Sequence, residues 1–424
     1  MHRVQAVSAR TMFARWLLGA ALAAAALQAH AGLVFTPHLS EYSRLPSGQY
    51  AELTTIYTEI DYVYNREGKK VTTGDPFIGG GDSVDAMLLL PKFTWIGNIF
   101  RDTWVPILNT HPQVCRVIQG AGWQQGTGNV IKRDRTAGMK SGADGLTDMY
   151  ALCGIYGDQH NWGPVAWNGL FATTVKAPVG EYDTQSLLNI GTHYWTVIPQ
   201  LAWHGEFFNN LIHEGTVGYQ VNGHNDTPSF GGLTPTQPAN VINAEGNLAY
   251  KFTEHWYMDA GYSYRRTRGP NRYDKYSLTI QKQPVNAQTA CDSTNGSTPV
   301  PIIDPAICNS TNDFWLQPRP NQTYYDRGIQ GTLITAGIYY IYRTSSVIQF
   351  RVAQPIRGRG GQIDALYDVC TADPGTTREQ CHLMSAHPNY VTTLVSTQNA
   401  VQEAAAVSAS PYYEARFVYL FWAP

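Results

Sequence analysis

The chain is 424 residues long, with 43% hydrophobic, 12% aromatic and 15% charged positions and a formal net charge of −2. Soluble domains carry about 25% charged residues, so charge is scarce here, yet a mean hydropathy of −0.27 is too low for a helical membrane protein. The aromatic content excludes a disordered chain, which leaves a large β-rich protein or a secreted globular one.

At the N-terminus, Arg3, Arg10 and Arg15 flank or precede an apolar run from Trp16 to Leu27 that ends in Ala29-His30-Ala31. A charged start, a short apolar stretch and small residues at a cleavage site form an export signal, so residues 1–31 are expected to be removed. What remains would hold 27 basic and 32 acidic side chains. An acidic exported chain lacks the positive field that binds phosphate backbones, so nucleic acid is not an expected partner. Residues 32–49 read either as a periplasmic tail or as a hatch folded into a lumen.

From there on, apolar and polar residues alternate. Ile56, Ile60, Tyr62 and Tyr64 stand against Tyr57, Glu59 and Asp61. Trp195, Val197, Pro199, Leu201 and Trp203 stand against Thr196, Gln200 and His204. The run from Ile242 to Phe252 opposes Asn243, Glu245, Asn247 and Lys251, and after a tight turn Trp256, Met258, Ala260, Tyr262 and Tyr264 oppose Asp259 and Arg265. Tyr413, Ala415, Phe417, Tyr419 and Phe421 close the chain against Glu414 and Arg416. Segments of about ten residues with this pattern, and aromatics near their ends, mark transmembrane barrel strands. A soluble sandwich also alternates. However, no segment after residue 31 approaches the roughly 20 apolar residues of a spanning helix, and the links alternate short and long.

The expected fold is therefore all-β, a transmembrane antiparallel β-barrel of about 12 strands (range about 10 to 14) over residues 50–424. Strands are predicted near 50–64, 83–96, 112–123, 146–157, 163–177, 189–206, 209–222, 240–252, 254–267, 328–342, 346–356 and 412–422. With both termini periplasmic, every long link falls outside the cell, including 268–327 and 357–411; residues 393–408 in the latter read as helical. Six cysteines suit an oxidising compartment. Sequence proximity favours Cys291 with Cys308 and Cys370 with Cys381 in those long loops, leaving Cys115 with Cys153 on neighbouring strands. No Cys/His spacing suggests a metal, and no cofactor is expected.

Charges facing lipid at the midplane cost about 2–4 kcal/mol, so charged strand residues should face the lumen. The inward set, and so the candidate solute path, comprises Asp61, Lys92, Lys176, Gln200, His204, Glu214, Glu245, Lys251, Asp259, Arg265, Gln349, Arg351, Glu414 and Arg416. Pairing across the lumen is the simplest use of these groups, and solute contact the other. Trp195, Trp203, Trp256, Tyr262, Tyr264, Tyr419 and Trp422 suit the interface girdle. Arg265, Arg266, Arg268 and Arg272, with Arg357 and Arg359, lie where two strands emerge outside, placed either to clamp lipopolysaccharide phosphates or to form a solvated rim.

Three stretches carry a family resemblance: Leu45-Pro46-Ser47-Gly48-Gln49-Tyr50 with Asn65-Arg66-Glu67-Gly68-Lys69-Lys70; Gly142-Ala143-Asp144-Gly145-Leu146-Thr147-Asp148-Met149; and Val175-Lys176-Ala177-Pro178-Val179-Gly180-Glu181-Tyr182 followed by Asn189-Ile190-Gly191 and Tyr194-Trp195. Together they resemble outer-membrane proteins of the "putative meta-pathway of phenol degradation" type. That resemblance implies a transporter-like barrel in the bacterial outer membrane that admits aromatic or other hydrophobic compounds, and it brings no catalytic residues. Membrane lipid and lipopolysaccharide are the partners expected from the barrel pattern and the arginine groups. The expected function is passive diffusion of such solutes, and no enzymatic activity is expected. The alternatives are a structural or adhesive surface barrel that binds a partner through its long loops and, less favoured, an outer-membrane hydrolase using His204 or His213, for which spacing specifies no Ser partner.

Overall fold

The computed structural model describes residues 41–64, 68–72, 83–100, 104–127, 142–184, 189–227, 236–273, 324–325, 328–343, 346–360 and 407–422. The expected export segment, Cys291, Cys308, Cys370 and Cys381, and most of the helical link expected over 393–408 lie outside these residues. The end of that link, Val407 and Ser408, is extended instead.

In chain order, β1 (Gly48–Ile60) is followed by the short β2 (Tyr62–Tyr64) and β3 (Lys70–Thr72), then β4 (Ser83–Gly97) and a five-residue helix α1 (Pro106–Thr110). Next come β5 (Gln113–Ile118), β6 (Ala121–Thr127), β7 (Gly142–Leu146), β8 (Met149–Tyr156), the short β9 (His160–Trp162), β10 (Val165–Ala177) and β11 (Thr196–Phe207). They are followed by β12 (Leu211–Asn222), β13 (Asn240–Lys251), β14 (Trp256–Arg268) and the short β15 (Arg272–Tyr273) and β16 (Tyr324–Tyr325). The chain ends with β17 (Ile329–Arg343), β18 (Ser346–Gly360), the short β19 (Val407–Ser408) and β20 (Tyr412–Trp422).

β1 pairs with β20 on one side and β4 on the other, which closes an antiparallel barrel of twelve wall strands. Two of these are interrupted. β4 pairs with β5 through Lys92–Gly97 and with β6 through Ser83–Leu89. β5 pairs in turn with β8, and β6 with β7. The third wall strand thus breaks at Gln119 and Gly120, and the fourth at Thr147 and Asp148. β1 begins and β20 ends at the end with the short turns, which is the periplasmic end of such barrels. One of those turns, between β11 and β12, runs through Phe208 and Asn209 with φ of 54° and 64°, the mirror-image geometry that follows the twist of a two-stranded ribbon. β2, β3 and β19 form a small sheet at the opposite, extracellular mouth.

Cys115 and Cys153 face each other in register on β5 and β8 and are disulfide-bonded, with Cα atoms 4.2 Å apart. Among the described residues no helix is long and apolar enough to cross a membrane; this chain crosses with strands. Leu201, Met258 and Phe350 point outward and are each more than half exposed, as a lipid-facing band requires.

Two strand readings need correction. The predicted strand over 189–206 begins only at Thr196, because Ile190 and Tyr194 are buried rather than paired into the wall. In β1 the faces are exchanged: Ile56 and Ile60 point inward at 0% and 3% exposure while Tyr57 is outward, since this side of the narrow lumen is packed with apolar side chains. Asp61 therefore shares the outward parity of Tyr57 and lies past the end of β1, its backbone N–H donating to Ser410 Oγ at 3.0 Å. It belongs to the extracellular rim, not to the lumen ladder.

Leu201 lies midway along β11 on the lipid face. Leu201→Arg is expected to cost about 2–4 kcal/mol of folding free energy, and Leu201→Met close to nothing, in urea titrations of the protein folded into lipid vesicles.

Candidate functional site

Residues 41–46, ahead of β1, run inside the barrel. Glu41 is their anchor. Lys92 Nζ donates to its two carboxylate oxygens at 3.0 and 2.9 Å, and Arg116 Nη1 to Oε1 at 2.8 Å. Arg116 Nη2 also donates to the Glu41 carbonyl, and Arg416 Nη2 stands 3.7 Å from Oε2. Glu52 on β1 completes the cluster, 2.8 Å from Lys92 Nζ and 2.7 Å from Arg416 Nη2. These side chains belong to the adjoining wall strands β20, β1, β4 and β5. The Glu41 N–H, by contrast, donates to Glu214 Oε2 at 3.0 Å, and Glu214 sits on β12, six strands from β1 in either direction around the barrel. Glu41 therefore spans the lumen.

The segment behind it is held by its backbone. Asn168 Nδ2 donates to the Tyr42 carbonyl at 3.4 Å, the Tyr156 hydroxyl to that of Ser43 at 2.9 Å, and the Tyr50 hydroxyl to that of Pro46 at 2.7 Å. Tyr42 packs among Tyr50, Ile96, Val114, Tyr156 and Leu170. Burial, with the Glu245 and Glu41 carboxylates nearby, holds its phenol well above the ordinary range. On the far wall His204 sits between two carboxylates, Nδ1 2.7 Å from Glu214 Oε1 and Nε2 3.1 Å from Glu206 Oε1.

A second buried pair lies higher in the wall. Arg351 on β18 donates from Nε and Nη2 to Asp259 Oδ2 on β14 at 3.0 and 2.7 Å. β17 runs between those strands, and Gly337 is the residue in register with both. A Cβ there would come within 2.3 Å of Asp259 Oδ1 and 2.5 Å of Arg351 Cγ. The glycine is what lets the ion pair cross over a strand.

A third polar centre fills the break in the wall. Asp148, fully buried, accepts from Gly180 N–H at 3.1 Å through Oδ1, and from Thr192 N–H at 2.9 Å and Thr192 Oγ1 at 2.5 Å through Oδ2. Lys176 Nζ stands 3.5 Å from the same Oδ2, donates to Thr192 Oγ1 and lies 3.8 Å from the Tyr194 ring centroid. Burial pushes the Tyr194 phenol up to about 12. Gly120 N–H donates to Thr147 Oγ1, and Gln124 Nε2 to the Asn189 carbonyl, both at 2.9 Å. Gly180 has no room for a side chain: a Cβ would sit 2.6 Å from Asp148 N. The described residues of the link, 178–184 and 189–195, are thus latched onto the interrupted strands by residues drawn from three sequence stretches, 120–124, 142–149 and 175–195.

Of the lumen residues expected from sequence, Lys92, Lys176, His204, Glu214, Asp259, Arg351, Glu414 and Arg416 are buried inside the barrel, as is Gln349. Gln200, Glu245 and Arg265 are half-buried on inward positions, Glu245 and Arg265 being diagonal neighbours on β13 and β14. Lys251 lies at the periplasmic end of β13, its Nζ 5.9 Å from the Tyr257 ring centroid. The structure gathers Lys92, Arg416 and Glu214 around Glu41, Asp259 with Arg351, and Lys176 with Asp148, and sets Glu414 opposite Arg351 in register. Glu41, Glu52, Arg116 and Asp148 are additions. Glu52 and Arg116 are signalled only by charge at an inward parity, and Asp148 only by its place in a resembling motif. His213 accepts from Trp203 Nε1 at 3.1 Å, and among the described residues no serine is hydrogen-bonded to it or to His204.

A closed twelve-strand wall, a lumen filled with compensated charge and an outward apolar band define an outer-membrane β-barrel protein. The model of the family described as "Putative MetA-pathway of phenol degradation" matches residues 67–286, and the chain belongs to that family. Among solved structures, an outer-membrane channel from Pseudomonas putida F1 is similar in fold, with 9% identity, a TM-score of 0.52 and coverage of 90% of this chain and 97% of that one. A Pseudomonas aeruginosa FadL homologue is 11% identical at a TM-score of 0.32, covering 92% and 96%. The CymD monoaromatic hydrocarbon channel is 8% identical at 0.31, covering 89% of each chain. No curated protein matches the sequence.

The latch yields a prediction. Asp148→Ala removes the carboxylate that buried Lys176 faces and is expected to cost about 3–5 kcal/mol. Asp148→Asn, which keeps an oxygen acceptor for Thr192, should cost less. Urea unfolding in lipid vesicles, with gel mobility of unheated samples as the folding check, measures both.

Proposed function

We propose that this protein is an outer-membrane channel that admits hydrophobic or aromatic small molecules by passive diffusion. The observation that carries this reading is the lining of the barrel's extracellular half. Ile56, Ile60, Ala86, Leu88, Leu333, Ala353 and Tyr412 form one buried apolar cluster there. A pore for sugars or ions needs a wet, polar lining at its mouth. An apolar one favours solutes that lose nothing by leaving water, at about 25 cal/mol per Å² of apolar surface buried. Membership of a family named for phenol degradation and the fold shared with a channel support the same reading.

The inward charges then line the lower path, where they hold the barrel rigid and meet the polar end of a solute. The bonding of His204 and His213 to carboxylates and an indole supports a channel over a hydrolase. Outside, Arg266, Arg268, Arg357 and Arg359 are exposed at the extracellular ends of β14 and β18, on either side of β17. We assign this rim to lipopolysaccharide phosphates, which guanidinium groups hold by paired hydrogen bonds.

Flux into proteoliposomes tests the channel. A small aromatic acid and a long-chain fatty acid should enter faster than in protein-free liposomes, and a sugar of similar mass should not. Equal enhancement of all three would make the protein a general pore. No enhancement by a correctly folded barrel would overturn the reading.

A further inference from the structure

The Glu41 side chain occupies a site that has the makings of a binding site for something else. Its carboxylate accepts from Lys92 and Arg116 at 2.8–3.0 Å, with Arg416 at 3.7 Å. Of the carboxylates in this cluster, Glu52 and Glu214 are fixed on wall strands. Glu41 is carried by residues 41–46, which among the described residues pair with no strand. Two inward positions above Glu52 and Lys92, which are in register with each other, stand Ile56 and Leu88, also in register and both buried in the apolar cluster. Four residues of strand amount to about 13 Å. A carboxylate head and an apolar body thus face complementary surfaces within the length of one small molecule.

We propose that Lys92, Arg116 and Arg416 form a carboxylate-binding site whose resident occupant is the protein's own Glu41, and that an aromatic or aliphatic monocarboxylate arriving from the apolar half of the lumen displaces it and frees residues 41–46. This rests on the channel reading above and names its substrate class. The charges support it. Without Glu41, Lys92, Arg116 and Arg416 would lose the carboxylate that all three approach, a charge that a monoanion restores and a neutral arene does not. Buried charge left uncompensated is strongly unfavourable, so the segment stays seated until another carboxylate arrives. Among the described residues Arg116 Nε is, in addition, a buried donor without a hydrogen-bond partner, available to a ligand carboxylate that approaches the guanidinium differently from Glu41.

Arg44 supplies the readout. It lies within the seated segment, one residue after Ser43, whose carbonyl accepts from Tyr156. The Arg44 side chain is exposed, but Tyr42 and Ser43 just before it are buried and bonded to the wall. Trypsin needs an extended stretch on both sides of the bond, so cleavage after Arg44 is expected to follow release of residues 41–46. Benzoate should speed cleavage at that bond at least fivefold in the purified barrel, as read by mass spectrometry. Benzyl alcohol, and sodium chloride at matched ionic strength, should leave the rate unchanged. Glu41→Gln, checked for folding by gel mobility, should raise the basal rate and blunt the benzoate response. The wild-type comparison stands without the variant: no effect of benzoate, or an equal effect of chloride, overturns the proposal. Flux of neutral arenes without a benzoate effect on cleavage would remove this site and leave the channel. Cleavage stimulated by benzoate without flux would keep the site and remove the channel.

Discussion

Hydrocarbon offers the backbone no hydrogen-bond partner, so every N–H and C=O within the membrane must be satisfied by the protein itself. For a chain of strands that demand is met only by closure, and closure here rests on β1, whose two edges are taken by the last wall strand and the second. Much else follows from the strand number this closure fixes. Twelve strands enclose a lumen too narrow to leave side chains in bulk water, yet wide enough to need filling. Charged groups sent inward to avoid lipid therefore find themselves buried a second time, and must neutralise one another.

They do so in local clusters, not in one continuous field. Glu41 and Glu52 answer Lys92, Arg116 and Arg416; Asp259 answers Arg351; Asp148 answers Lys176. Each cluster needs a geometric concession. The first recruits a segment from outside the sheet. The second needs a residue without a side chain in the intervening strand. The third sits where two strands give up their ladder and a link folds in to complete it. Below an apolar upper half, the described lumen side chains pack as compensated polar clusters.

Strand number, order and boundaries were largely legible in the sequence, because β13, β14 and β20 alternate without ambiguity and turn signals separate their neighbours. Parity failed in β1 for a physical reason. From Tyr50 on, its even positions read Tyr, Glu, Thr, Ile, Thr, Ile and its odd ones Ala, Leu, Thr, Tyr, Glu, so both faces are mixed, and a packed lumen rewards apolar residues as much as lipid does. Residues 189–195 read as strand for a similar reason: Ile190 and Tyr194 are buried, but by the link's own inward fold. Glu41 was invisible, since nothing local tells a solvated tail from one threaded into a lumen. Asp148 was visible only as part of the resembling run Gly142–Met149, whose last four residues fall in the strand predicted over 146–157. Its role emerges when that run meets Lys176, Gly180 and Thr192 in space.

The covalent bond between β5 and β8 bears on how such a wall is put together. Cys115 and Cys153 lie just to the periplasmic side of the two interruptions, where the backbone ladder, which elsewhere sets alignment residue by residue, is about to lapse. Disulfides form in the oxidising periplasm, through which an exported chain passes before it reaches the outer membrane. A disulfide formed there sets the offset of two neighbouring strands before the remaining strands add to them. The stretch of wall least able to find its register by hydrogen bonding is the one for which register has been settled by sulfur.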